Sequence, residues 1–118
     1  MKGENLIENK SFDFAVRVVN LHKYLTQEQK EYVMSKQLLR CGTSIGANVS
    51  EAQRGQSMAD FAAKMSVALK ESNETLYWLR LLNAADYITN EEFSSMQKDL
   101  DELISLLVSI CKKQIPNK

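Results

Sequence analysis

The sequence predicts an all-α protein, an antiparallel up-down-up-down four-helix bundle. Three observations carry the prediction. Four stretches place apolar residues three and four positions apart, the spacing that puts side chains on one helix face. Only one proline and four glycines occur in 118 residues, and Pro116 lies in the C-terminal tail, where it interrupts nothing. The links between the four stretches are short, and short links join antiparallel neighbours. No alternating strand pattern and no repeat of 20 to 50 residues is visible in the sequence. The expected organisation is a flexible N-terminus over residues 1–10, one bundle domain over 11–113 and a tail over 114–118.

Ser11 is the expected N-cap of helix one, with Asp13 in its first turn. Helix one runs to about Leu25 and carries two apolar stripes. One is Phe12, Ala15, Val16 and Val19; the other is Phe14, Val18, Leu21 and Leu25. Together they form a face wider than one neighbouring helix needs, which points to a partner subunit. Thr26 with Gln29 fits a capping box for helix two, which continues to about Gln53, where Gly55 supplies a left-handed end. The main stripe of helix two is Met34, Leu38, Cys41, Ile45, Asn48 and Ala52.

Beside that stripe lie Gly42, Gly46 and Val49. A glycine inside a helix costs roughly 1 kcal/mol against alanine. Close packing of another helix against Gly42 and Gly46 is the expected compensation. Ser57 with Asp60 caps helix three, expected over Met58 to Ala85 with Phe61, Met65, Ala68, Ser72, Thr75, Leu79 and Leu82 on its inner face. Thr89 with Glu92 is a capping box for helix four, whose seam is Phe93, Met96, Leu100, Leu103, Leu107 and Ile110.

The chemistry expected is sparse. Fifteen basic and fifteen acidic side chains cancel, so the whole chain is not drawn strongly to nucleic acid or to anionic membrane. No apolar run is long enough to span a bilayer, and no apolar signal region opens the chain. Cys41 and Cys111 fall on apolar stripes and read as free thiols of a cytoplasmic protein. The single histidine, His22, has no partner at metal or acid–base spacing. No catalytic set, cofactor motif or metal site can be assembled, so the expected protein is not an enzyme and holds no cofactor.

Two polar groupings stand out. Asn48 interrupts the helix-two seam and is expected to fix register, with ligand binding as the alternative. With it, Glu51, Glu71 and Glu74 are expected either to join a polar network with Arg40 or Arg54 or to be solvated charges or intersubunit ion pairs. Lys36, Arg40 and Arg54 share a second stripe of helix two that either contacts phosphates of RNA or DNA or is simply solvated.

Two motif blocks carry a resemblance. The first is Gln37-Leu-Leu-Arg40, Ser44-Ile-Gly-Ala-Asn48 and Glu51-Ala52. The second is Asp60-Phe61, Lys64, Ala68-Leu69-Lys70-Glu71, Glu74-Thr75 and Tyr77-Trp78-Leu79. Over about residues 10 to 112 the chain resembles the four-helix bundle proteins encoded in 23S ribosomal RNA intervening sequences. That family is similar to the accessory variability proteins of diversity-generating retroelements, which are basic where this chain is neutral. The resemblance implies a bacterial, cytoplasmic, non-enzymatic four-helix bundle of unknown function assembled as a homopentamer, and through the accessory proteins it suggests nucleic-acid binding.

Overall fold

The computed structural model describes residues 2–114, with side chains for 6–113. Four helices make up the described chain: α1 (Lys2–Gln27), α2 (Met34–Ala52), α3 (Met58–Ala84) and α4 (Asn90–Gln114). No strand occurs among the described residues. The helices pack in ring order, α1 on α2, α2 on α3, α3 on α4, and α4 back on α1 through the thinnest of the four contacts. Successive helices are antiparallel, and the body measures 46 × 24 × 22 Å.

The core is one cluster running the length of the bundle. Phe14, Val18 and Leu25 enter it from α1, Leu38, Ile45 and Val49 from α2, Met65, Leu79 and Leu82 from α3, and Leu100, Leu103 and Leu107 from α4. Each fully buried side chain of this size contributes about 1.5–3 kcal/mol by leaving water. The α1–α2 pair is close because α2 has no side chain where α1 crosses it. A Cβ on Gly42 would sit 2.8 Å from Val18 Cγ2, and one on Gly46 would sit 3.2 Å from the carbonyl oxygen of Ser11.

The structure corrects the expected start of α1. The helix begins at Lys2, not at Ser11, so residues 2–10 are helical rather than a flexible N-terminus, and Ile7 is fully buried. Ser11 is an interior residue, 1 % exposed, whose hydroxyl donates to the Glu8 carbonyl. It faces Gly46, which explains why a small polar residue stands there. Gln114 closes α4, and residue 1 and residues 115–118, the rest of the expected tail, lie outside the described residues.

The α1–α2 link is also different. Thr26 lies in the last turn of α1 and its hydroxyl donates to the His22 carbonyl, so it caps nothing. Glu31 takes the capping role. One carboxylate oxygen accepts from the backbone N–H of Val33 at 3.1 Å and of Met34 at 3.0 Å, and the other from Ser35 at 2.7 Å. The Ser35 hydroxyl returns a bond of 2.7 Å to the Glu31 carbonyl. Four N–H groups at a helix start lack partners in the helix itself, and a carboxylate there also meets the positive end of the helix dipole. Lys30, at φ 57°, makes the left-handed bend that sets Glu31 in place.

The later caps match the sequence expectation. Ser57 Oγ accepts from Asp60 N at 3.1 Å. Thr89 and Glu92 bond reciprocally, Glu92 Oε1 accepting from Thr89 N at 2.8 Å and Thr89 Oγ1 from Glu92 N at 3.0 Å. Gly55 is not left-handed. It is small because it is crowded: a Cβ at this position would lie 3.2 Å from the Ala52 carbonyl and 3.3 Å from the first turn of α3. The left-handed residue after α3 is Asp86, at φ 69°.

Candidate functional site

Polar side chains converge where α2 faces α3. Arg40 projects from α2 between Glu71 and Glu74, one turn apart on α3. Its Nη1 lies 3.5 Å from Glu71, and its Nη2 forms a short ion pair with Glu74. The Trp78 indole N–H donates to the same Glu74 oxygen at 3.4 Å. Glu71 is the most enclosed of the group, its side chain 15 % exposed, whereas the Arg40 side chain is 49 % exposed. Partly exposed pairs of this kind are worth about 0–1 kcal/mol each. Their effect is orientation: they hold α2 against α3 and brace Trp78.

The expected network of Asn48, Glu51, Glu71 and Glu74 is therefore divided. Glu71 and Glu74 meet at Arg40. Glu51 pairs with Lys64 at 2.7 Å. Asn48 joins neither group. It is half-buried, and its amide nitrogen donates to the Ser44 carbonyl of its own helix at 2.8 Å. Val49, completely buried, occupies the seam instead. Of the basic stripe, Arg40 is neutralised as described, Arg54 donates to Ser50 Oγ at 3.4 Å, and Lys36 is exposed.

Beneath this cluster lies Cys41, fully buried, its Sγ 3.7 Å from the Leu38 carbonyl. Burial pushes its thiol above the ordinary range, the Thr75 hydroxyl pulls the other way, and the nearby charges of Glu74, Arg40 and Glu71 act with mixed sign. A neutral, enclosed thiol is a poor nucleophile. In the native protein Cys111, half-buried near the end of α4, is expected to react with a thiol-specific reagent before Cys41 does, and denaturant to make both react. Mass spectrometry of a time course checks this order.

Sequence reasoning did not find two further features. Arg17 ties α1 to α4, with Nη1 2.6 Å from Asp99 and Nη2 2.8 Å from Ser95 Oγ. Nothing local signals this pairing, which joins residues 82 apart in sequence. The second is Glu31, whose signal was the serine four residues on.

Among the described residues no group of three His, Cys, Asp or Glu side chains comes together to hold a metal ion. No described helix is long and apolar enough to cross a membrane. An apolar stripe also stays uncovered. On α1, Phe12, Val16 and Val19 follow four-three spacing and remain 68 %, 45 % and 37 % exposed. Single exposed apolar residues are ordinary, but three in helical register form a seam with nothing against it.

Comparison with known proteins agrees with this architecture. Residues 4–109 match the model of a family described as 23S rRNA-intervening sequence protein. A crystal structure from Bacteroides thetaiotaomicron, described as a protein with unknown function from the S23 ribosomal protein family, is 56 % identical and superimposes with a TM-score of 0.92. The match covers 93 % of this chain and 98 % of that one. No curated protein matches the chain.

Proposed function

The chain belongs to the 23S rRNA-intervening sequence protein family, and from that premise we propose that it is a non-catalytic assembly module of the cytoplasm, a four-helix bundle that associates with copies of itself into a homopentamer. One observation carries the reading: the α1 seam of Phe12, Val16 and Val19 is left in water by a fold that draws the Phe14, Val18 and Leu25 stripe of the same helix into its core. Covering such side chains stabilises an association by about 1.5–3 kcal/mol for each one fully buried. A closed ring multiplies the contact without leaving an unpaired end. Neither the family description nor that of the crystal structure indicates a catalytic class.

The test is a charge placed in the seam. Phe12→Glu with Val16→Glu is expected to reduce the assembly to single chains, with far-UV circular dichroism unchanged, because both positions are already exposed and contribute little to the fold. Unchanged mass by light scattering would reject the α1 seam as the interface. The alternative, nucleic-acid binding through Lys36, Arg40 and Arg54, is less well supported. Arg40 is held by two carboxylates, and Arg54 lies beyond the end of α2, with about 24 Å of helix between Lys36 and that end at 1.5 Å per residue.

A further inference from the structure

We propose that the outward face of α3, not that of α2, is a binding site for single-stranded nucleic acid. Lys70, Asn73, Tyr77 and Arg80 recur at three-four-three spacing, and all four are exposed. Neither Lys70 nor Arg80 has a carboxylate within ion-pairing distance among the described residues. Both acids between them along the helix are already engaged, Glu71 by Arg40 and Glu74 by Arg40 and Trp78. The stripe thus offers two available cations with an aromatic ring between them. Single-strand binders use that combination, cations for the phosphates and a ring face for a base.

The ring is held in place. Tyr77 is 55 % exposed, yet Trp78 packs edge-on against it with ring centroids 5.1 Å apart and planes at 79°. Trp78 is in turn bonded to Glu74, so the braces described above end at this face. Beside Tyr77 a recess of about 360 Å³ opens between the end of α3 and the start of α4. It is lined by Tyr77, Arg80, Leu81, Asn83, Ala84 and Phe93. That volume lies at the lower end of small-ligand sites and suits one planar base. Asn83 commits its amide nitrogen to the Ile88 carbonyl and to Asn90 Oδ1, and its own oxygen accepts no bond among the described residues. An acidic peptide would use the cations but not a recess walled by two aromatic rings.

The site lies on α3, across the ring of helices from the α1 seam proposed to join the copies, so assembly through that seam leaves it open. Its test is fluorescence anisotropy of the full chain with labelled oligo-uridine and oligo-thymidine of about ten nucleotides, at about 50 mM and about 200 mM salt. Binding of either strand at low salt, weakening with salt, is the expected result. Tyr77→Ala lowers the affinity about tenfold or more, the loss of one stacked base, while Tyr77→Phe stays within about twofold of the parent chain. Arg80→Ala weakens binding and flattens the logarithmic salt slope by about 0.7, one phosphate contact. Lys36→Ala leaves binding unchanged.

Light scattering on each variant, with mass unchanged, separates loss of binding from loss of assembly. The proposal is overturned by no binding at low salt, by Tyr77→Ala binding as the parent does, by Lys36→Ala losing affinity in its place, or by polyglutamate displacing the strand as well as unlabelled nucleic acid does.

Discussion

Replacing Gly42 with leucine is expected to lower the unfolding free energy by about 1–2 kcal/mol, the net of two opposed effects. A side chain at this position gains about 1 kcal/mol of helix propensity over glycine. Against that, its first carbon alone would lie 2.8 and 2.9 Å from the two methyls of Val18 and 3.3 Å from its Cβ. Val18 is completely buried, and a β-branched side chain in a helix has essentially one rotamer, so it has nowhere to turn. Relief requires α1 to move off α2, and overpacking of this kind costs about 1–3 kcal/mol and sometimes more. The crowding wins over the propensity. For a domain of this size the melting temperature falls by about 5 °C. Gly46→Ala is the contrasting case, because its Cβ meets the Ser11 carbonyl at 3.2 Å, a few tenths of an ångström too close. Propensity and crowding then nearly cancel, and the change stays within about 1 kcal/mol. Calorimetry on both variants measures the difference, and equal stabilities would mean that the α1–α2 approach is not set at Gly42.

The second large effect is expected at Glu31. This residue is 7 % exposed, and its carboxylate accepts from three consecutive backbone N–H groups. Glu31→Ala removes all three acceptors and leaves enclosed donors without partners, for a loss of about 3 kcal/mol. Glu31→Gln keeps the shape of the side chain and one acceptor oxygen, but puts an NH2 that cannot accept in place of the other and loses the charge that faces the start of α2, so about 1–2 kcal/mol is expected. Chemical denaturation resolves the two. If alanine and glutamine cost the same, the hydrogen bonds are not the source of the stability. Because α2 starts from this cap, hydrogen exchange in the Glu31→Ala protein should quicken first at Ser35 and its neighbours.

These two positions also show where sequence reasoning reaches its limit. Ser57 with Asp60 and Thr89 with Glu92 were legible because each cap closes within three residues, so the local sequence alone determines it. Ser11 and Thr26 carry the same side-chain chemistry and, on local sequence alone, the same expected role. In the fold Ser11 is a small residue against Gly46, and Thr26 bonds back to its own helix, as hydroxyls inside helices do. Local chemistry cannot separate a cap from an interior serine when the deciding neighbour, Gly46, lies on another helix. The helical character of residues 2–10 was hidden for a similar reason, since Ile7 is an apolar residue in a polar stretch and its burial depends on the other helices.

Within the candidate site, four-three spacing correctly placed Arg40 on one stripe of α2 and Glu71 with Glu74 on one stripe of α3. Their meeting depends on the register of two antiparallel helices, which spacing within one helix does not contain. Asn48 illustrates the drift between strict four-three counting and a real helix: one position along, Val49 turns inward and the amide is left at the edge. The apolar excess of α1 was legible, because counting stripes needs only one helix. The surface it leaves uncovered is where the structure and the proposed assembly meet.

Sedimentation equilibrium of the unmodified chain at micromolar concentration tests that meeting most directly. The expected particle has a mass near five times the 13.4 kDa of one chain. A particle of one chain mass across the whole concentration range would contradict it, and would leave Phe12, Val16 and Val19 exposed with no sister copy to cover them.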